Sequence, residues 1–395
     1  MEGPLITTDR AGQVGVTGLL HVRCCIMRRA GLAIAASLLA ACSQPSAGPQ
    51  SAASTPTASS VVGPQITGGI HGTCRLPFGG LIDTTTGAPA RRGGFISFPA
   101  AVFKVDPAAD LRAGGAGGFV TVASPQLNGG DAAAYDAPER RWLPTRLSLV
   151  APDGSSYAYS EPNGLHIVDV RTAADRLLPG TNAAQRSFYP VAYAAGGIYV
   201  LAGPEQTSPT PVPLTLWVID PESGHQKQVS STATTASAFV AGGAAWMTTL
   251  NPADPHPWQQ SPSEPSSANN QLLRVDLQTG VATPWLYRPG AFVGPVGVDS
   301  KGQPVVIVVN SAASELWLLR GPQTGDRIYV GPGAYNPANR MKIDHALSAG
   351  VTDANGIWFV NGDSGVVLYT PGGGVELTFA MLSTGRIGGA CQSGS

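Results

Sequence analysis

The sequence predicts an all-β fold, a β-propeller of six four-stranded blades, and three observations carry that prediction. Short aromatic or β-branched runs bounded by turn residues recur at intervals of about fifty residues, and no ten-residue window shows helical apolar spacing. The 50 glycines and 34 prolines of the 395 residues are spread between these runs instead of forming one tract, so they mark turns throughout. Each unit joins a Gly-opened strand to a strand, turn and return strand; such a unit cannot bury both faces alone and must stack on its neighbours around an axis.

Ahead of the blades, residues 1–26 carry Glu2 and Asp9 and do not look like an n-region, so Met27 is the expected start. Arg28 and Arg29 are followed by twelve small or apolar residues, Ala30 to Ala41. That run is too short for a bilayer core of about 30 Å, and it fits the h-region of an export signal over 27–41. Residues 42–69 are, after the cysteine, mostly Ser, Ala, Pro, Thr, Gly and Gln without charge and with little to bury, a flexible tether. The propeller is expected over 70–395.

The blades follow in order. Gly118, Gly154, Gly197, Gly243, Gly302 and Gly356 each open a strand, as in "GGIYVLAG" and "NGIWFVNG". Each is followed by a hairpin such as "LWVIDPESGHQKQV" or "LLRVDLQTGVATPW". In the first four hairpins an aspartate ends the first strand: Asp136, Asp169, Asp220 and Asp276. A carboxylate there accepts a hydrogen bond from an N–H two residues on, so these are read as turn formers before catalytic acids; Gly224, Gly280 and Gly325 suit a positive-φ closing position. Trp217, Trp317 and Trp358 are expected between blades. Which strand closes the ring stays open, because residues 80–104 and 383–391 each suit the first or the last blade.

Two resemblances attach to these residues. "LVAPDGSSYAYSEPNGLHIVDV" resembles the PD40 repeat of TolB-type, WD40-like propellers, with Ala151 where that repeat usually has Ser, while "VGPVGVDSKGQPVVIVV" and "SAGVTDANGIWFVNG" are closer to NHL or streptogramin-lyase-type blades. Leu39-Ala40-Ala41-Cys42 resembles the bacterial lipobox, which implies that Cys42 becomes a lipid-bearing N-terminus anchored stably in a membrane. Ser43 after it implies, in a two-membrane bacterium, sorting to the outer membrane; otherwise the protein faces outward from the cytoplasmic membrane.

Of the five cysteines, Cys24 and Cys25 precede the expected start and Cys42 takes lipid, which leaves Cys74 and Cys391. In an oxidising compartment they either form one bridge between the ends of the mature chain or remain two thiols.

Net charge is -1 and charged residues are 12%, so no basic face is expected and nucleic acid is not a partner. No zinc-spaced ligand set, phosphate loop, dinucleotide fingerprint or nucleophile elbow occurs, so no metal, cofactor or catalytic residue is assigned. Tyr189, Asp344 and His345 are the candidates for the central channel; adjacent strand residues point to opposite faces, so Asp344 orients His345 only if both lie in a loop. The connections between second and third strands are longest in the third and fourth blades, at 204–213 and 251–270. Such segments order cheaply on binding, being Pro-rich. His256 and Trp258 are the candidate partner-binding residues, with Trp258 either an interfacial anchor or a residue packing its own loop.

Two functions follow: a monomeric, non-enzymatic envelope lipoprotein whose propeller face binds a protein or glycan, or an envelope enzyme of lyase or lactonase type using channel residues.

Overall fold

The computed structural model describes residues 70, 72–79, 93–109, 134–161, 163–182, 186–204, 213–234, 238–251, 253–254, 269–310, 313–332, 348–361, 365–372, 374–380 and 385–393. All fall in one compact unit, Ser59–Ser395.

The chain first lays down β1 (Cys74–Gly79), β2 (Gly94–Phe98) and β3 (Val102–Val105), then a hairpin of β4 (Ala134–Asp136) and β5 (Arg141–Leu143), then β6 (Ser156–Glu161), β7 (Gly164–Asp169) and β8 (Asp175–Leu177). Four regular meanders follow. They are β9 (Ser187–Ala194), β10 (Gly197–Gly203), β11 (Leu214–Ile219) and β12 (Gln226–Thr234); then β13 (Ala238–Ala241), β14 (Ala244–Thr249), β15 (Gln271–Asp276) and β16 (Ala282–Tyr287). Next come β17 (Phe292–Val298), β18 (Pro304–Val309), β19 (Ala313–Gly321) and β20 (Thr324–Pro332), and β21 (Ser348–Asp353), β22 (Gly356–Asn361), β23 (Gly365–Thr370) and β24 (Gly374–Ala380). The chain ends on β25 (Arg386–Ile387) and β26 (Gln392–Ser393).

The fold is an all-β, six-bladed β-propeller. Among the described residues, six sheets carry three to five strands, and the two-stranded sheet β4–β5 stands between two of them. The regular meanders are antiparallel sheets in sequence order, and their second strands are largely buried: every residue of β10 and of β18 is buried. A strand stacked on both faces must be apolar on both, which accounts for the unbroken "PVVIVV" of β18. The outer strands β3 and β8 are mostly exposed.

Among the described residues, seven apolar clusters tie each sheet to the next and return to the first. Ile198 and Val200 pack on Leu165 and Ile167; Leu201 and Leu216 on Ala245 and Met247; Leu272 on Val306; Leu316 on Phe359. Trp358 and Leu368 pack on Leu76 and Ile96, Phe95 on Trp142, and Leu143 on Tyr157. Trp217, Trp317 and Trp358 lie in three different clusters of this series, as expected. First strands meet on the inside, with β9 against β13, β13 against β17, β17 against β21, and β21 against β25.

Closure is the point left open by the sequence. The blade expected from Gly118 through residue 143 is present as the hairpin β4–β5, the Gly118 segment lying outside the described residues. The two chain ends instead combine with each other: β1 pairs with β2 on one side and with β25 and β26 on the other, in the registers Gly79 to Arg386 and Cys74 to Ser393. Cys74 and Cys391 are disulfide-bonded there, 5.6 Å apart at Cα. Asp353 fastens the last blade to this seam, its Oδ2 accepting from Trp358 Nε1 at 2.7 Å and from the Cys391 N–H at 2.8 Å.

The hairpin aspartates act as turn formers in three cases. Asp169, Asp220 and Asp276 each accept from the backbone N–H two and three residues on and from a Thr or Ser hydroxyl at the third. Gly280 then takes φ +71, and a Cβ there would meet the Val229 carbonyl oxygen at 2.0 Å. At the β19–β20 hairpin the positive φ falls on Gln323, not Gly325. Gly325 is needed for room instead, since a Cβ would come within 2.6 Å of the Leu318 oxygen. Asp136 departs from the pattern: it is buried and its Oδ2 has no hydrogen-bond partner.

Candidate functional site

In an antiparallel four-stranded blade, the connection from second to third strand and the passage from fourth strand to the next blade emerge on the same face. The ends of β10 and β14 and the starts of β11 and β15 therefore lie on the same face as the ends of β8, β12 and β16. The described residues at the ends of the β14–β15 connection are mostly polar.

The feet of the β14–β15 connection are clamped by side chains that the sequence analysis did not single out. Asn270 is fully buried; its Nδ2 donates to Asp254 Oδ2 at 2.6 Å and its Oδ1 accepts from the Asn251 N–H at 2.7 Å. Asp254, 8% exposed, also accepts from the Gly290 N–H at 3.1 Å. Backbone bonds complete the clamp, Arg288 N–H to the Asn270 oxygen at 3.0 Å and Val293 N–H to the Asn269 oxygen at 2.6 Å. Both feet are thus tied to each other and to the turn that enters the next blade. Buried polar groups engaged this fully hold one arrangement, because any alternative leaves them unsatisfied. The signal available in sequence was the placing of Asn251 and Asp254 at one foot and Asn269 and Asn270 at the other.

His256 and Trp258 lie outside the described residues, as do Cys42, Asp344 and His345. Tyr189 is described: half-buried on β9, opposite Leu201, and packed on the cluster shared with the next blade. From this first strand it contributes to the packing between blades.

A second polar group on this face centres on His166, where Nδ1 lies 3.0 Å from Asp175 Oδ1 and Nε2 lies 2.9 Å from Asn163 Oδ1. The Tyr159 ring stacks on the imidazole at 4.9 Å, and its hydroxyl donates to Asp175 Oδ2 at 2.5 Å. Burial, and then that bond to Asp175, push the Tyr159 hydroxyl well above the usual phenol range. With both ring nitrogens engaged, the arrangement joins β6, β7 and β8 as a brace.

Nearer the inside of the ring, Arg146 follows β5 and Arg386 opens β25. Arg146 Nε is shielded from solvent without a hydrogen-bond partner. Burial, and then the neighbouring Arg386 guanidinium, lower Arg146 to about 10, which leaves it charged at neutral pH. Among the described residues no group of three or more His, Cys, Asp or Glu side chains is placed to hold a metal ion.

No protein family model matches the chain, and no curated protein matches it significantly. Solved structures do. Virginiamycin B lyase from Staphylococcus aureus is similar at 14% identity and TM-score 0.37, over 76% of this chain and 83% of that one. A candidate 6-phosphogluconolactonase from Bacteroides uniformis is similar at 11% identity and TM-score 0.39, over 79% of this chain and 99% of that one. Apo AztD from Citrobacter koseri gives 12% identity and TM-score 0.30, over 76% of this chain and 67% of that one. At these scores the similarity carries no inference about activity.

Proposed function

We propose that this protein is a cell-envelope lipoprotein, anchored through Cys42, whose loop-bearing propeller face binds a protein or glycan partner without catalysing a reaction. The observation that supports it is the Asn251, Asp254 and Asn270 clamp. The clamp fixes both feet of the connection in which His256 and Trp258 stand. Binding residues concentrate on loops held this way by a rigid scaffold.

The anchor and the binding face are tested separately. Expressed in a bacterial host with an alkyne fatty acid, the full chain takes up label and Cys42→Ala does not; label persisting in the variant refutes the anchor. For the face, partners captured from envelope extracts by the wild type are compared with those of Trp258→Ala. The substitution is expected to cost on the order of 2 kcal/mol of binding free energy with the melting temperature unchanged. A 255–268 deletion that keeps the clamp, folds, and still retains every wild-type partner would sink the binding face.

A further inference from the structure

Asp136 ends β4 and pairs across the hairpin with Arg141 of β5. Ala134 and Asp136 face the β6–β8 blade. Ala134 packs in one cluster with Tyr157, Val168 and Val170, and a Cβ on Gly154 would meet Asp136 Oδ1 at 3.2 Å. The Asp136 side chain is buried and its Oδ2 has no hydrogen-bond partner. Side chains opposite one another on an antiparallel pair have Cβ atoms about 5 Å apart, so the Arg141 guanidinium is within reach of that oxygen. It is used elsewhere: Arg141 Nη1 donates to the carbonyl oxygen of Val170, on the neighbouring blade.

This arrangement suits one protonation state. A neutral carboxyl tolerates a missing partner, whereas an ionised one at the same depth needs a cation. The other charged groups around it do not supply one. Glu139, in the same turn, opposes ionisation, and Arg140 and Arg171 are exposed, the latter 3.9 Å from Glu139. On the neighbouring blade Asp153 and Asp169 are held by their own turns, and burial pushes the Tyr157 hydroxyl well above the phenol range, so it stays neutral. On the far side of the hairpin, Asp106 is bonded to Trp142. Arg141 is left as the cation that can answer Asp136, and answering it takes the guanidinium away from Val170.

We propose that Asp136 and Arg141 form a pH-dependent latch: while Asp136 is protonated Arg141 holds the β4–β5 hairpin to the β6–β8 blade through Val170, and when Asp136 ionises Arg141 turns to it and releases the blade. Burial, partly offset by a backbone bond from Glu139, raises Asp136 above 3.8. The stability tied to its proton is fully present below 3.8 and is lost as pH rises through the raised folded value. The latch therefore closes in acid and opens toward neutral pH. The hairpin is suited to opening by itself, being a two-stranded sheet whose Tyr135 N–H reaches outward to the Gly388 oxygen at 2.8 Å. No residue is shared with the Asn251, Asp254 and Asn270 clamp, so the latch stands or falls apart from the partner-binding proposal.

The test is amide exchange of the full chain between pH 4 and pH 7, corrected for the intrinsic pH dependence of exchange and read by segment. In the wild type, protection of β4, β5 and Val170 is expected to fall about tenfold toward neutral pH, with β10 and β18 unchanged. Asp136→Asn should keep the acid level of protection throughout. Arg141→Met, which lacks the latch, should show the lower level already in acid. Should Asp136→Asn fail to fold, the wild-type profile and Arg141→Met decide the matter. Hairpin protection that does not change with pH in the wild type, or a change shared equally by β10 and β18, overturns the latch. So does the wild-type pH dependence persisting in Asp136→Asn, or acid-level protection persisting in Arg141→Met.

Discussion

The four meanders from β9 to β24 and the seam made by β1–β8 with β25 and β26 solve the same packing problem with different materials. In the meanders each strand pairs with the one before it, the stacking clusters are apolar, and the β11–β12 and β15–β16 turns share one Asp-initiated pattern. In the seam the innermost strand comes from the far end of the chain, and a disulfide, the Asp353 carboxylate and the Trp142 Nε1 bond to Asp106 at 3.0 Å hold the pieces. There too lie the unpartnered Arg146 Nε and Asp136 Oδ2 and the His166 brace. The regular blades form a scaffold that stacks through apolar clusters and still holds the buried Asn251, Asp254 and Asn270 clamp between β14 and β15; the seam adds a disulfide and carboxylate bonds because its strands come from opposite ends of the chain.

The largest expected effect tests whether the seam depends on its covalent tie. The bridge closes a separation of 317 residues, and a loop of that size contributes about 5 kcal/mol on the chain-entropy account. Replacing Cys74 and Cys391 together by Ser should lower stability by about that amount in denaturant unfolding. Amide exchange should locate the loss in β1, β22, β25 and β26, with β10, β14 and β18 still protected. Loss spread evenly over all sheets would break the distinction between seam and scaffold.

A smaller effect is expected inside the scaffold. Leu216 is fully buried in the cluster joining β9–β12 to β13–β16, and Leu216→Ala should cost about 3 kcal/mol. Because it sits where stacking is uniform, it should lower the melting temperature while leaving the order of amide protection among blades unchanged. Selective opening at the seam in this variant would show that the two regions do not unfold as separate units.

The scaffold was legible in sequence and the seam was not, for physical reasons. Gly197 and Gly356 begin β10 and β22, Asp220 follows β11 and Asp276 ends β15, because turn chemistry and strand pairing there are local. The Gly356 φ of +142 and the 2.1 Å from a Cβ at that position to the Tyr369 oxygen explain why only glycine serves. Pairing of β1 with β25 and β26 joins residues some three hundred apart, and no local pattern encodes it. The disulfide was inferred by counting thiols, not from strand register. Arg146 stands in the polar stretch "LPTRLS", where an arginine reads as a solvated turn residue, and its isolation is visible only once burial is known. The Asn270 clamp was hidden in the same way, since buried amides and loop amides look alike in sequence.

The smallest effect contrasts two aspartates at equivalent hairpin positions, one in each region. Burial, partly offset by a backbone bond from Glu139, raises Asp136 above the ordinary carboxylate value of 3.8. Hydrogen bonds from Thr279, first its backbone N–H and then its hydroxyl, lower Asp276 below that value. The linkage signs are therefore opposite. Stability contributed by Asp276 is present above 3.8 and is lost as pH falls through its lowered folded value. The Asp136 contribution is fully present below 3.8 and is lost as pH rises through its raised folded value, leaving a buried charge with an unpartnered oxygen. Asp136→Asn should accordingly raise stability by about 1 kcal/mol at pH 7, with the gain vanishing on acidification, while Asp276→Asn should lower the melting temperature at pH 7 and converge on wild type in acid. Melting curves of both variants between pH 3 and pH 7 check this, and an Asp136→Asn variant destabilised at pH 7 like its Asp276 counterpart would mean that Asp136 is one more turn former.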